Sequence, residues 1–319
     1  MTHLYSASET EVLTQGGSAF YSTTPSGAFD SNYARAPIRL DANSSTTWDS
    51  ADFAQQTTYW HHMTGYVSGS GTGTALTLYN NSGTAVFRLQ STAGGTMQVQ
   101  YWNGSSWTQI GSNWSYSAST KYTLDLKVVC GGSGSMEFYV DGTLATSGSA
   151  SMASVDNIAK FRLGNFAATN QQTYYSEVFA RTTSTVGCRL ESEPPTSAGT
   201  DTDGTGAYTD IDEYDRNDSD FKVLTSSGNK ASFKSAARTQ GGSGTALAVT
   251  VTARASTDSG QSIKFYLLIS GTRYYSSSIA LTASLLPYQY TWETNPATSS
   301  PWVLSDAQSA NLEWGYEVV

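Results

Sequence analysis

Charged residues are scarce in this sequence. Lys, Arg, Asp and Glu together make up 13% of the 319 residues, about half of their usual share in globular proteins. Hydrophobic residues are also below average at 38%, whereas aromatic residues reach 12%, with 20 Tyr, 11 Phe and 8 Trp. Disordered chains are poor in aromatic and β-branched residues. The composition therefore predicts a folded, β-rich protein with polar faces.

Basic residues are scarcer than acidic ones, and long apolar runs are missing. With a net charge of −9, the sequence lacks the excess of basic residues that is typical of a nucleic-acid-binding protein. No run approaches the roughly 20 apolar residues that span a bilayer, so we expect neither nucleic acid nor membrane insertion. Residues 1–5 lack the basic and apolar regions of a signal peptide, which predicts synthesis in a cytoplasm.

Cysteine and histidine, the usual soft metal ligands, are also few. A disulfide between the two cysteines, Cys130 and Cys188, is possible, although buried unpaired thiols are the simpler expectation. Besides His3, the only histidines are the neighbours His61 and His62. Adjacent residues of a strand point to opposite faces, so these two are not expected to share a metal. We expect one to be packed and the other exposed.

Short alternating runs separated by turn residues fill the first half, and no amphipathic helix of normal length is evident. Tight turns are predicted at residues 80–83, at Asn103-Gly104 and at Asp141-Gly142, where Asn and Gly permit positive φ. Strands at this spacing are typical of a sandwich or barrel. The predicted strands are residues 57–67, 74–79, 85–89, 97–102, 107–110, 122–129, 136–140, 158–163 and 174–180.

A change of pattern divides the chain near Pro194-Pro195. Residues 191–204 are turn-forming, and a Pro-Pro pair cannot lie in a central strand. We therefore predict an all-β protein of two β-sandwich domains, residues 1–193 and 194–319. In the second domain a helical turn is predicted at 306–310 with Ser305 as its N-cap. The predicted strands there are residues 246–253, 263–269, 272–281, 289–293 and 312–318.

Two resemblances to known families follow from these runs. Residues 122–129 and 134–142, with the later runs 158–164 and 175–180, resemble the paired and closing strands of the concanavalin A-like (laminin-G-like) jelly roll. That resemblance covers mainly residues 57–183. Families with this fold bind glycans, cleave glycans or form structure, so the fold alone does not choose among these functions.

The second resemblance covers most of residues 200–319. The segment 208–221, with Tyr208 and an Ile-Asp-Glu before an acidic turn, is similar to one in many virion proteins of tailed bacteriophages. The stretch 295–315, Asn-Pro … Trp … Leu-x-x-Gly, is similar to the end of the same modules. The resemblance implies a virion component on the tail or the capsid exterior, made in the host cytoplasm. Its partners would be other virion proteins, and a homo-oligomer such as a trimer would fit an appendage.

The acidic run from Asp201 to Asp220 is the most conspicuous polar feature. Solvated turns and helix caps are the simpler interpretation, and a bound Ca²⁺ is the alternative; no other cofactor is expected. Asp210, Asp212 and Asp215 also echo the Glu-x-Asp-x-x-Glu strand of a jelly-roll glucanase family, in which two carboxylates act across a glycosidic bond. The outer positions are one methylene shorter here. No nucleophile elbow or phosphate loop is visible, so we predict that the protein is not an enzyme.

An aromatic cluster is the best candidate binding feature. Tyr101, Trp102, Asn103 and Trp107 lie around one predicted hairpin, and Trp114 and Tyr116 follow. Ring faces stack on the C–H patches of sugars and amides bond hydroxyls, but the same rings could pack in the core or at a subunit contact. Three functions remain: a non-enzymatic virion component that contributes to host attachment, a lectin-like module that binds a host-surface glycan, and a polysaccharide-cleaving enzyme.

Overall fold

The structure is a computed structural model that describes residues 3–7, 14–16, 29, 37–40, 47–166, 171–212, 218–236, 245–309 and 312–319. By its internal contacts the chain divides into two compact units, Met1–Glu191 and Ser192–Val319. Whether the two units fold independently, as the predicted boundary at residues 193 and 194 implies, remains a prediction.

The first unit is built from antiparallel strands. They are β1 His3–Ala7, β2 Thr14–Gly16, β3 Ile38–Leu40, β4 Thr47–Asp49, β5 Thr58–Val67, β6 Gly73–Tyr79, β7 Ala85–Thr92, β8 Thr96–Trp102, β9 Trp107–Ser115, β10 Thr120–Val129, β11 Gly131–Val140, β12 Thr143–Met152, β13 Lys160–Leu163 and β14 Thr173–Arg181. The first sheet has the described order β1-β14-β5-β10-β11-β12, with β3 also paired to β14. The second sheet has the order β2-β4-β13-β6-β7-β8-β9.

Strand alternation places the core of this unit between its two sheets. In β8, Met97, Val99 and Tyr101 are buried, whereas Gln98, Gln100 and Trp102 alternate with them and stay partly exposed. Period-two alternation of this kind is what a half-buried strand requires. The largest core side chains come from both sheets: Trp48, Tyr59, Phe87, Phe138, Phe161 and Tyr175. The first unit is thus a β-sandwich, a jelly roll of the concanavalin A type, as the sequence predicts.

The second unit is a smaller β-sandwich. Its strands are β15 Ser197–Thr202, β16 Lys230–Lys234, β17 Val249–Ala255, β18 Ser262–Ile269, β19 Thr272–Tyr275, β20 Ile279–Ala280, β21 Leu286–Trp292 and β22 Glu313–Val318. The order β15-β16-β22-β18-β19, with β20 on β18, forms one sheet, and β17-β21 forms the other. Phe265 and Leu267 from the larger sheet pack with Val251 and Trp292 from the smaller one. Trp302 joins them and donates from Nε1 to the Trp292 carbonyl at 2.8 Å.

Two local predictions for the second unit are wrong. The helix α1 spans Leu304–Ala307 with Val303 at its N-cap, so Ser305 lies inside the helix; Ala310 lies outside the described residues. The strand predicted at 272–281 is two strands, β19 and β20. Ser276 separates them, because its N–H donates to the Phe265 carbonyl at 2.8 Å while its hydroxyl accepts from Phe265 N–H at 3.0 Å.

None of the helices in the described part of the chain is long and apolar enough to cross a membrane.

Cys130 and Cys188 are unpaired thiols, each partly buried. Burial, with Asp156 nearby, raises the pKa of Cys130 to about 12, so this thiol stays protonated and unreactive at neutral pH.

Candidate functional site

The outward face of the second sheet carries a row of polar side chains. Cross-strand pairing aligns six residues directly across β4, β13, β6, β7, β8 and β9, in the order Asp49, Arg162, Thr77, Arg88, Gln100 and Gln109. Directly opposed residues on one face lie close enough for their side chains to interact. The sheet therefore presents a continuous polar strip that ends beside the β8–β9 hairpin.

Two tryptophans lie next to this strip at the hairpin. Trp102 and Trp107 are directly paired across β8 and β9, and their rings meet edge to face with centroids 5.6 Å apart. Both side chains are only partly buried. The Ser154 hydroxyl donates to the Trp102 carbonyl at 2.6 Å, which fixes the end of β8. The turn between the tryptophans uses Gly104 at φ +100°, a conformation that favours glycine.

Arg88 from β7 completes the group. Its guanidinium lies over the Trp107 ring, 4.4 Å from the centroid, within the range of cation–π attraction. Its Nε donates to Gln100 Oε1 at 2.6 Å. Partial burial lowers the pKa of Arg88, although the group stays charged at neutral pH. Trp102, Trp107, Arg88 and Gln100 are called the tryptophan surface below.

Of the four predicted glycan-contact residues, the structure places only Trp102 and Trp107 on this surface. Tyr101 points into the core with 8% of its surface exposed, its ring 6.4 Å from that of Phe87. Asn103 is engaged in the turn, where its Oδ1 accepts from the N–H groups of Ser105 and Ser106, both at 2.9 Å. Its Nδ2 donates to two hydroxyls of the same hairpin.

The other two rings of the predicted cluster belong to the sandwich interior. Trp114 packs edge to face against Tyr122 at 4.9 Å and against Phe138 at 5.9 Å. Tyr116 is 8% exposed and lies in the same core. Sequence reasoning missed Arg88 and Gln100. The strand alternation that makes both outward-facing was visible, but their alignment depends on the register of β7 with β8.

A second polar group is buried on the first sheet. His62 Nδ1 donates to Asp125 Oδ1 at 2.7 Å, and the Thr185 hydroxyl donates to the same oxygen at 2.6 Å. All three residues are fully buried. Within the described part of the chain, His62 Nε2 and Asp125 Oδ2 have no hydrogen-bond partner. Such a buried polar group is costly to disturb.

Residues 182–190 cover this group. Besides Thr185, Arg189 anchors that segment through hydrogen bonds of 2.6 and 2.8 Å to the carboxylate of Glu177, which also accepts from Leu190 N–H. The expectation that one of the adjacent histidines is exposed is wrong. His61 and His62 do point to opposite faces, but His61 enters the core beside Phe161, and His62 is fully buried, stacked on Phe179 and bonded to Asp125.

Several residues of the acidic run are engaged in ion pairs and turns. Asp201 accepts from the guanidinium of Arg273 and from the Tyr266 hydroxyl, and Asp218 pairs with Arg254 at 2.9 Å. In the described ranges no three His, Cys, Asp or Glu side chains are grouped as metal ligands. Glu213 and Asp215 lie outside those ranges.

The glucanase-like motif does not lie on a strand. Tyr208–Asp210 is a 3₁₀ helix, and the Asp210 carboxylate accepts from Ala207 N–H at 2.7 Å. Asp212 follows in neither a helix nor a strand. A pair of carboxylates set by strand geometry is therefore not formed by Asp210 and Asp212; Asp215 lies outside the described residues.

No family model and no curated protein matches this chain. Solved structures match it at low similarity. The receptor-binding domain of botulinum neurotoxin type G is 11% identical over 56% of this chain and 44% of that one, with a TM-score of 0.36. The endo-β-1,4-glucuronan lyase of the fungus Trichoderma reesei is 13% identical over 56% and 90%, with a TM-score of 0.33. The globular domain of T. cruzi calreticulin is 7% identical over 57% and 84%, with a TM-score of 0.38. This chain thus covers less than half of the neurotoxin domain.

Proposed function

We propose that this protein is a non-enzymatic glycan-binding protein, and that the tryptophan surface is its contact. The observation that carries this proposal is the outward pair Trp102 and Trp107, held on one hairpin beside a strip of amide and guanidinium groups. Two large rings paired on an outward face form an apolar patch rimmed by polar groups, a feature that often marks a binding site. An aromatic face beside hydrogen-bonding side chains matches the alternating apolar and hydroxyl faces of a sugar ring.

Substitution of the two tryptophans tests this proposal. Trp102→Ala and Trp107→Ala should each weaken binding to a glycan array or to host cells about 30-fold, the loss typical of a buried aromatic contact. Phe221→Ala is the matched control, because Phe221 is an aromatic residue with 63% of its surface exposed in the other unit. An array without signal for the native chain, or full binding by both tryptophan variants, would remove the basis of the proposal.

We further propose that the protein works as part of a bacteriophage particle, on the tail or the capsid exterior, as a homo-oligomer such as a trimer. Support comes from the sequence resemblance of residues 208–221 and 295–315 to modules of phage virion proteins. Glycan contact would then serve attachment to the host. Mass spectrometry of purified particles should detect the chain in a fixed copy number, and its absence from them would refute the location without touching the glycan proposal.

The absence of enzymatic activity is part of the same proposal. The strand motif that would supply two catalytic carboxylates is not formed by Asp210 and Asp212, since Asp210 caps a 3₁₀ helix. The chain should release no reducing sugar from a panel of bacterial polysaccharides. Release that disappears in Asp212→Asn would show that the polysaccharide-cleaving alternative is correct.

A further inference from the structure

Arg88 differs from the other arginine of the polar strip in its partners. Arg162 donates to both oxygens of Asp49, at 2.6 and 2.8 Å, and Lys160 approaches the same carboxylate at 3.1 Å. Arg88 instead donates from Nε to the neutral amide of Gln100. Among the described residues its two terminal nitrogens meet no acceptor and no carboxylate. The strip therefore contains two cations that share one carboxylate, Arg162 and Lys160 on Asp49, and Arg88, which has no counter-charge among the described residues.

The setting of Arg88 favours an anion from outside the chain. One side of its guanidinium is covered by the Trp107 ring at 4.4 Å, and Gln100 orients it from Nε. This leaves the two terminal N–H groups as parallel donors, the arrangement that binds two oxygens of a carboxylate or phosphate. The cation is partly desolvated without an internal ion pair, so an incoming oxyanion would gain more here than at a fully solvated arginine.

The neighbouring groups fit the rest of such a ligand. Because Arg88 already lies over Trp107, we expect Trp102 to be the ring that stacks on a sugar. The only carboxylate of the described strip, Asp49, is neutralised by Arg162 and Lys160, so it would not repel an anion. The net charge of −9 acts at longer range, and salt screens it beyond about 8 Å.

We propose that the tryptophan surface binds an acidic glycan, with Arg88 holding a carboxylate or phosphate substituent of a sugar that stacks on Trp102. This inference rests on the proposed glycan-binding function and names its substrate class. It makes Arg88 the residue that selects charged over neutral saccharides, a preference that the two rings alone would not produce.

Binding of matched saccharides tests the inference. Titration calorimetry of the full chain would use oligogalacturonate, the same oligomer with its carboxyl groups reduced to alcohols, and a phosphomannan. The native chain should bind at least one of the charged probes about ten-fold or more tightly than the carboxyl-reduced probe. Tighter binding of oligogalacturonate would identify a carboxylate as the bound group, and tighter binding of the phosphomannan would identify a phosphate. Added NaCl should weaken this binding and leave that of the neutral probe unchanged.

Variants separate the charge from the rings. Arg88→Gln should bring the affinity for the charged probe down to that for the neutral one, whereas Trp102→Ala should weaken both. Lys121→Gln is the charge-matched control, since Lys121 is exposed on β10 in the other sheet, and it should bind like the native chain. Arg88→Lys keeps the charge but not the two parallel donors, and it should recover only part of the preference.

The outcomes distinguish this inference from the function on which it rests. Equal binding of charged and neutral probes by the native chain, or unchanged affinity in Arg88→Gln with its fold intact by circular dichroism, overturns the assignment of an acidic glycan and leaves glycan contact standing. Failure of the native chain to bind any of the three probes counts against both.

Discussion

Removing the hydroxyl of Thr185 should destabilise the first unit, whereas removing that of Thr183, two residues earlier, should not. The Thr185 hydroxyl donates to the buried carboxylate of Asp125 at 2.6 Å. The Thr183 hydroxyl is also shielded from water, but no hydrogen-bond partner for it lies among the described residues. Thr→Val nearly preserves side-chain shape at either position, so the pair isolates one hydrogen bond.

The magnitude follows from the charge of the acceptor. A hydrogen bond to a charged group contributes about 1.5–3 kcal/mol to the free energy of unfolding, and a buried carboxylate that loses such a bond loses most of that contribution. Thr185→Val should therefore lower the free energy of unfolding by about 2 kcal/mol. In a unit of this size that corresponds to a fall in Tm of about 4–8 °C. Thr183→Val removes a shielded hydroxyl with no partner among the described residues, so it should leave the free energy of unfolding unchanged or raise it.

Hydrogen exchange measured by mass spectrometry gives the free energy of each unit separately. Peptides from β5 and β10 should lose protection in Thr185→Val, while peptides from β18 and β22 of the second unit should not change. Equal effects of the two substitutions on β5 and β10 would refute the argument that Thr185 holds residues 182–190 onto the first sheet.

Three further predictions concern acid, backbone packing and domain independence. Burial, with His62 nearby, lowers the pKa of His61 to about 3. In the unfolded chain His61 has its ordinary pKa of 6.5, so the unfolded chain takes up the proton at a higher pH than the folded one. Stability is therefore lost as the pH falls from about 6.5 towards 3. Between pH 7.5 and 5.5 this costs about 1.4 kcal/mol, and urea unfolding of His61→Gln should show a smaller pH dependence by that amount; an equal dependence would contradict the assignment. Gly315→Ala would place a Cβ 2.1 Å from the Ala231 carbonyl oxygen and should destabilise the second unit by about 1–3 kcal/mol, whereas Gly132→Ala, with no atom within 4 Å of the added Cβ, should be neutral by thermal unfolding. Residues 1–193 and 194–319, expressed separately, should each unfold cooperatively with the exchange pattern that they show in the full chain; a molten fragment would show that the predicted boundary is misplaced.

The strands that the sequence predicts are those whose own residues carry the signal. In β8, alternating apolar and polar residues lead into Asn103-Gly104, and both features are local. The strand β12, Thr143–Met152, is not predicted, because its sequence is rich in Ser, Thr, Ala and Gly. It forms through pairing with β11 at the end of the first sheet. Pairing of this kind depends on the neighbouring strand and leaves little trace in the strand itself.

The same distinction applies to the candidate site. The two tryptophans are predictable because a single hairpin places them together. Arg88 lies 19 positions before Trp107, and only the pairing of β7, β8 and β9 aligns it with Gln100 and brings it over that ring. His62 illustrates a limit of strand alternation. Alternation gives the face on which it lies, but its burial depends on residues distant in sequence, Asp125 and Phe179, which reach it only in the folded chain.

Glycan affinity of the native chain and of Trp102→Ala tests the central claim most directly. Calorimetry or a glycan array should show binding by the native chain that falls about 30-fold in Trp102→Ala, with thermal stability and circular dichroism unchanged because the ring lies on the outward face of β8. Undiminished binding by a correctly folded Trp102→Ala and Trp107→Ala double variant would contradict the account and place any glycan contact elsewhere on the molecule.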